Sequence, residues 1–153
     1  MEHKKLVTMA KHYLTYRESC CVVFTEFVCA TPEIPDALGW KSNGNSILIE
    51  CKTSKADFKK DKDKPVRVYP TMGMGDKRYF LCPSGIISPE ELPQGWGLLY
   101  ADKKNIRIIQ ESDKFETTKQ YELVAMISMV RRFQKFSAVY VVPEAIDQAE
   151  GRE

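Results

Sequence analysis

Two acidic residues and a lysine have the spacing of a metal-dependent active site. Asp36 precedes one predicted strand, and Glu50 and Lys52 end the next one, Ser46–Lys52. Because side chains alternate faces along a strand, Glu50 and Lys52 share one face. Charged groups at the end of an apolar strand are costly to bury unless they pair or bind a ligand. Two carboxylates beside an ammonium group could hold a divalent cation against a phosphate.

The turn between the two strands decides whether the two carboxylates meet. Asn43-Gly44 is typical of a β-hairpin turn. A two-residue loop would point Asp36 and Glu50 to opposite faces of the sheet. A three-residue loop with Gly44 in a left-handed conformation would set Asp36 opposite Lys52, with Glu50 diagonal to it. The site needs an odd loop or a bulge, because an even, unbulged hairpin would separate the two carboxylates. We predict the odd loop.

The elements around this hairpin follow from hydrophobic periodicity and from turn residues. Apolar residues at helical spacing predict a first helix, and Ser54 caps a second helix that Pro65 ends. In chain order we expect a helix over 3–17, a buried strand over 20–29, the hairpin, a helix over 55–63, a mobile loop over 70–76, strands over 78–82, 97–101 and 106–110, and a helix over 118–136.

Glu26 is a further acidic candidate, because it interrupts the apolar run 20–29. An ionised glutamate there should lie near an edge, be paired, or belong to a site. The other charged candidates have a plain structural explanation as well. Asp36 could cap a turn, and Glu50 and Lys52 could form a salt bridge at a strand end. From these three residues alone, the structural explanation is the better one.

Size and composition favour one domain. The chain has 153 residues and a net charge of +2, which is too small by itself to indicate a nucleic-acid-binding protein. This length is enough for one substantial core. We expect a single domain over residues 3–142 and a polar tail over 143–153.

The cysteines and the apolar runs predict the compartment. The five cysteines are odd in number and form no C-x-x-C pair, so neither a disulfide framework nor a zinc site is indicated. Most lie in apolar runs and are typical of buried thiols in a reducing compartment. We find no signal peptide and no apolar run of the roughly 20 residues that a membrane span needs. We therefore expect a cytoplasmic protein.

Basic residues concentrate just after the hairpin, between Lys52 and Arg67. Among them, Lys55, Lys59 and Lys62 belong to the predicted second helix. They could bind backbone phosphates without reading sequence. A solvated helix face explains the same pattern about as well.

The order of elements, together with Pro35-Asp36 and Glu50-Cys51-Lys52, resembles the PD-(D/E)xK nuclease superfamily. The run from Ile49 to Asp61 is similar to the E-x-K-x-S-x-x-D-F-x-x-D pattern of the MmcB-like DNA-repair family. Residues 76–83 and 97–102 match that family's later strands. The resemblance covers roughly residues 6–102, and more loosely the chain to residue 136.

This resemblance implies a restriction-endonuclease-like α/β fold, a mixed β-sheet flanked by helices with a helix at the C-terminal end. It implies a nuclease that uses Mg²⁺ or Mn²⁺ to cleave phosphodiester bonds, most simply in DNA during repair or processing. Asp36, Glu50 and the carbonyl of Cys51 would hold the metal. Lys52 would orient water or offset developing charge, with Glu26 as an acid beside them.

Two other classes of function compete with a nuclease. The same fold could serve as a catalytically inactive nucleic-acid-binding module that keeps the basic helix. The chain could also act through protein interaction, with the apolar stripe of the last helix as the docking face. A core-facing stripe is the commoner explanation, so we expect Leu123, Ile127, Val130 and Phe133 to face inward. The residues are compatible with DNA or RNA and with single or double strands.

Overall fold

The computed structural model describes residues 1–133, in which helices and strands follow one another in the predicted order. The helices are α1 (His3–His12, continued by a π-helical turn at Tyr13–Arg17), α2 (Lys55–Asp61), α3 (Pro65–Val68) and α4 (Lys119–Arg132). The strands are β1 (Val22–Thr25), β2 (Ala37–Trp40), β3 (Ser46–Cys51), β4 (Lys77–Pro83), β5 (Gly97–Ala101) and β6 (Ile106–Gln110). Short 3-10 turns lie at Pro70–Met72 and Pro89–Glu91.

The six strands form one mixed sheet whose spatial order is the chain order. Strands β1, β2 and β3 are antiparallel neighbours, so the hairpin lies inside a meander. Strand β4 is parallel to both β3 and β5, and β6 returns antiparallel at the far edge. A parallel neighbour requires a crossover, which α2 and α3 supply between β3 and β4. This is an α/β fold with a C-terminal helix, as expected.

Each face of the sheet carries its own apolar core. On one face, α1 packs Leu6 and Ala10 against Ile47 and Ile49 of β3. The alternate residues of the strands face the other way, towards α2 and α4. There the Phe58 ring meets the Phe80 ring edge to face, with centroids 5.0 Å apart, and Phe80 stacks on Trp96, with centroids 4.4 Å apart. Glu50 lies on this second face, next to the inner side of α2.

Strand β1 is shorter than expected. The predicted strand over 20–29 is regular only from Val22 to Thr25, at the edge of the sheet. Ser19 and Glu26 flank it with φ of 57° and 48°, which is the left-handed region. Residues other than glycine rarely adopt that backbone conformation, which is incompatible with a strand. The extended backbone therefore ends on both sides of β1. The apolar composition of the run indicated a strand but could not reveal these two bends.

The segment 70–76 is not the mobile loop that its glycines and prolines predicted. Residues 73–76 are buried. The buried guanidinium of Arg78 donates to the carbonyl oxygens of Pro70, Gly73 and Gly75 at 2.8–3.1 Å. It also lies over the Phe115 ring, 4.2 Å from the centroid. One side chain from β4 therefore fixes the path of the whole connection.

Helix α4 is rotated relative to our expectation. Leu123 and Phe133 are 59% and 55% exposed, and Ile127 is exposed too, so the prediction that they face inward is wrong. The buried carboxylate of Glu122 instead accepts a 2.7 Å hydrogen bond from the indole nitrogen of Trp40. That bond turns a different side of the helix to the sheet. The side chains packed there are Tyr121, Ala125, Met126 and Met129; Val130 is partly buried.

The predicted tail over 143–153, the stretch 134–142 of the predicted domain and the expected end of α4 near residue 136 lie outside the described residues. Within residues 1–133, no helix has both the length and the apolar character to cross a membrane.

Candidate functional site

The hairpin has the odd loop that the sequence predicted. Lys41 donates its N–H to the Asn45 carbonyl at 2.8 Å, which leaves Ser42, Asn43 and Gly44 as the loop. Gly44 has a φ of 88°, a conformation that favours glycine. The odd loop is confirmed.

The register itself differs from the predicted one by one pair. Ala37 lies opposite Ile49, so the next position sets Asp36 opposite Glu50 and not opposite Lys52. The predicted register is therefore wrong in detail, because the loop closes at Lys41 and Asn45. Directly opposed residues share a face, so the correction brings the two carboxylates closer than expected.

Asp36 is held at the edge of the hairpin by backbone and by helix α1. Its Oδ2 accepts the Cys51 N–H at 2.7 Å. Its Oδ1 lies 3.4 Å from Nε2 of His3, the first residue of α1. Burial raises the pKa of Asp36, although the Cys51 N–H and His3 both favour the ionised form.

Glu50 is buried without a close partner. Its side chain is 3% exposed, and it accepts no hydrogen bond from any of residues 1–133. The nearest cations lie beyond hydrogen-bonding distance of its oxygens: Lys52 Nζ at 3.8 Å, Lys64 Nζ at 3.6 Å and Arg67 Nη2 at 3.6 Å. Arg67 Nη2 is itself buried without a hydrogen-bond partner. Buried polar groups are nearly always hydrogen-bonded, so the unpaired Arg67 Nη2, 3.6 Å from Glu50 Oε1, needs an explanation such as a bound water.

The electrostatics of Glu50 agree with that geometry. Burial, and then the charge of Asp36, raise the pKa of Glu50 from 4.5 to about 7, although Arg67 and Lys64 oppose the shift. A carboxylate whose proton affinity is raised by burial and by a second carboxylate lies in a site with too little positive charge. A shift of this kind in a partly enclosed place is typical of functional groups.

Asp61, at the end of α2, forms close ion pairs with the same three cations. Its oxygens lie 3.0 Å from Lys52 Nζ, 2.8 Å from Lys64 Nζ and 2.5 Å from Arg67 Nε. Burial alone would raise the pKa of Asp61, but the three cations outweigh it and the pKa is lowered. Lys52 is thus drawn away from Glu50 towards Asp61.

Sequence reasoning did not place Asp61 in the site. The available signal was its position three residues after Phe58, on the helix side that packs against the sheet. Arg67 was also missed. Pro65 was expected only to end the second helix, but it starts a further short helix, α3, to which Arg67 belongs. The Arg67 guanidinium lies 4.5 Å above the Trp96 ring.

Glu33 extends this network to the neighbouring loops. One of its oxygens pairs with Arg67 Nη1 at 3.2 Å, and the other accepts the Met74 N–H at 2.9 Å. The connection before Asp36 is thereby tied to the segment 70–76. Sequence reasoning did not place Glu33 in the site.

A second group of ligand-type atoms surrounds Asp36 on its outer side. His3 Nε2 lies 3.2 Å from Oε1 of Glu26, and ligand atoms of His3, Glu26 and Asp36 all lie within 4.8 Å of one another. Glu26 reaches this place because its N–H pairs with the Asp36 carbonyl at 3.1 Å. Glu26 thus lies beside Asp36, together with the partly exposed His3.

The remaining candidates have distinct surroundings. The Cys51 side chain is buried in the α1-side core, and burial raises the pKa of its thiol, so only its carbonyl oxygen is a suitable metal ligand. Lys55 pairs with Glu91, while Lys59 and Lys62 are exposed on the outside of the second helical segment. The two exposed lysines stay candidates for phosphate contacts.

Over residues 1–133, the fold and this cluster define an α/β protein with a mixed six-stranded sheet and a charged site at the β2–β3 hairpin. No family model matches the chain, and no curated protein matches it. Its structure is similar to that of a protein of unknown function from Silicibacter pomeroyi, with a TM-score of 0.61 and 23% identity over 86% of this chain and 88% of the other. At that identity, the similarity concerns the fold alone.

Proposed function

We propose that this protein is a metal-dependent nuclease of the PD-(D/E)xK type, with a restriction-endonuclease-like core and DNA as its substrate. That core would consist of α1, the antiparallel strands β1 to β3, the crossover helix α2 and the parallel strand β4. In this arrangement Asp36 and Glu50-Cys51-Lys52 meet at one end of the hairpin. This juxtaposition of the two halves of the motif supports the proposal.

The observation that carries the proposal is the state of Glu50. It is a buried carboxylate opposite a second carboxylate, with no hydrogen bond from residues 1–133 and a pKa raised to about 7. A purely structural salt bridge would bring one of its three cations to hydrogen-bonding distance. A hard divalent cation would supply the missing charge, since Mg²⁺ prefers one or two carboxylates with further oxygen ligands.

The residues present fit such an ion. Asp36 and Glu50 would hold it, with the Cys51 carbonyl as a third oxygen. A bound Mg²⁺ or Mn²⁺ supplies Lewis-acid activation of water and neutralises charge on a phosphate. Hydrolysis then adds the water oxygen to phosphorus, breaks one P–O bond, and leaves the departing oxygen to take a proton.

The chain's own groups position these partners. Asp61 fixes the Lys52 ammonium at 3.0 Å, which keeps a positive charge on the face where the phosphate would sit. Arg67 and Lys64 limit the repulsion between the carboxylates. Glu26 and His3 lie on the outer side of Asp36 and would set its orientation.

A cleavage assay tests the proposal. Wild-type protein is incubated with supercoiled DNA, linear duplex, single-stranded DNA and RNA, each with Mg²⁺, with Mn²⁺ or with EDTA. We expect metal-dependent cleavage that falls about a hundredfold or more in Asp36→Asn, Glu50→Gln and Lys52→Met, as for other charge-stabilising groups. Asp63→Asn, an exposed acid of the same segment, is the matched control. Activity that survives in all three variants would contradict the proposal.

One observation favours the second candidate, a nucleic-acid-binding module without catalysis. Lys52 is only 6% exposed and is already engaged by Asp61, so it is poorly placed to contact substrate. Calorimetric titration with Mg²⁺ separates the two functions. Metal binding that requires Asp36, together with nucleic-acid binding but no cleavage on any substrate, would favour the inactive module.

A further inference from the structure

A cavity of about 370 Å³ opens next to the charged site. Two segments line it: residues 29–34 of the connection before β2, and Lys64, Pro65 and Val66 at the start of α3. Its volume is within the range of small-molecule and cofactor sites, about 300–1,000 Å³.

The walls of this cavity are mainly apolar and are well fixed. Pro32, Ile34 and Pro65 contribute rigid or aliphatic surface. The Thr31 hydroxyl donates to the Glu33 carbonyl at 2.8 Å, within its own segment. Glu33, which also lines the cavity, is held by Arg67 and by the Met74 N–H. The space therefore suits a partly apolar group better than a second charged one.

One of the residues that line the cavity is a cation, Lys64. The Lys64 side chain is 45% exposed, whereas that of Lys52 is 6% exposed. Both ammonium groups lie at the same oxygen of Glu50, at 3.6 and 3.8 Å. Both lysines also pair with Asp61, at 2.8 Å for Lys64 and 3.0 Å for Lys52. Exposure alone therefore distinguishes them, and it makes Lys64 the lysine that can meet an anion from solvent while it stays beside Glu50.

We propose that this cavity takes one unpaired nucleotide, whose base enters between residues 29–34 and 64–66 while its phosphate binds Lys64 at Glu50. This inference rests on the proposed nuclease function and narrows its substrate class. A base in an intact duplex is stacked and paired, so it enters such a cavity only after extrusion, which costs a few kcal/mol. The preferred substrate is accordingly a single strand, or a duplex with an unpaired nucleotide beside the cleaved bond.

The proposal also divides the work between two lysines. Lys64 contacts the substrate phosphate and is a catalytic residue in that sense. Lys52, buried against Asp61, acts through Glu50 and is a positioning residue. Loss of Lys64 should therefore weaken binding of the substrate, whereas loss of Lys52 should leave binding almost unchanged and lower the rate of cleavage.

Fluorescence anisotropy with labelled oligonucleotides in EDTA tests this without any cleavage. Because extrusion from a duplex costs a few kcal/mol, we expect a single strand to bind at least about tenfold more tightly than a paired duplex of the same sequence. Lys64→Met should remove most of that preference. Lys62→Met, which removes the same charge two residues away, should weaken both ligands about equally. Lys64→Arg, which keeps the charge, should restore most of the preference.

A second variant tests the cavity itself. Ile34 is half exposed at the cavity wall, and Ile34→Trp should fill the space and lower single-strand affinity without changing duplex affinity. Thermal unfolding of each variant checks that it is folded. Equal binding of single strand and duplex by wild type would overturn the proposal, and so would equal effects of Lys64→Met and Lys62→Met. A wild type that binds single strands in this way but cleaves nothing would contradict the nuclease and leave the nucleotide site standing.

Discussion

Asp61 and Glu50 lie among the same three cations, yet their carboxylates are in opposite electrostatic states. Lys52, Lys64 and Arg67 approach Asp61 to 2.5–3.0 Å but remain 3.6–3.8 Å from Glu50. These three cations lower the pKa of Asp61, whereas the pKa of Glu50 is raised to about 7.

The difference separates a structural acid from an acid that is free to bind. A buried carboxylate that its own chain fully satisfies holds other groups in place. A buried carboxylate that its chain leaves short of positive charge has capacity for a ligand. The following experiments test this contrast in order of expected effect.

The largest effect is expected for Asp61→Asn. The change leaves Lys52, Lys64 and Arg67 without their shared acceptor, and breaking a buried charge network in this way costs about 3–5 kcal/mol of unfolding free energy. Urea denaturation at neutral pH measures it. The exposed Asp63→Asn should stay within about 0.5 kcal/mol of wild type. If the two variants were equally stable, Asp61 would not be the structural acid.

The pH dependence of stability is the next test. Because the pKa of Glu50 is raised from 4.5 to about 7, the folded state holds this proton more tightly than the unfolded state. Its contribution to stability is full below about pH 4.5 and is lost as the pH rises through about 7, which amounts to roughly 3 kcal/mol at 1.36 kcal/mol per pKa unit. Urea denaturation in EDTA across this range measures it.

Glu50→Gln is the control for that pH series. It removes the titrating group and should flatten the profile between pH 4.5 and 7, with a gain in stability at the alkaline end. An unchanged slope would show that Glu50 is not the group responsible.

Added metal should restore the folding stability that is lost as the pH rises. At pH 8, Mg²⁺ in large excess over its dissociation constant should raise the unfolding free energy by about 1–3 kcal/mol, because it binds the folded state. Thermal unfolding with and without the ion measures the gain. Asp36→Asn should abolish it, and Asp63→Asn should not. A gain that survived in Asp36→Asn would place the ion elsewhere.

The smallest effect is expected for His3→Ala. The His3 pairs with Glu26 and Asp36 are partly exposed, and such pairs contribute less than about 1 kcal/mol. Denaturation measures the change against His12→Ala, an exposed histidine of the same helix. A loss of stability as large as that of Asp61→Asn would mean that Glu26 and Asp36 belong to one network with Asp61. Asp61 would then not be distinct from the other acids as the structural one.

Local sequence signals predicted the hairpin and most of the sheet. Asn43-Gly44 predicted the position of the turn, and the apolar runs of β5 and β6, bounded by turn residues, gave their limits as observed. The odd length of the loop was predicted from the charged residues that it had to bring together. These features depend on neighbours along the chain. The site was only half predictable, because the burial of Asp61 and Arg67 depends on how α2 and α3 pack over the sheet.

Helix α4 shows why periodicity alone was not enough. Its sequence carries two apolar stripes, one with Leu123 and Ile127 and one with Tyr121 and Met129. Either could face the sheet by hydrophobicity. The choice is made by one polar contact, Glu122 to the Trp40 indole, between residues far apart in the chain. No spacing rule within the helix contains that information.

The position of His3 has a practical consequence for any recombinant preparation. Helix α1 starts at this residue, 3.4 Å from an Asp36 oxygen, so sequence added in front of the helix emerges at the candidate metal site. A polyhistidine affinity tag fused there would add imidazole ligands next to Asp36 and bind the ions under study. Titrations of Mg²⁺ or Mn²⁺ therefore require protein from which such a tag has been removed.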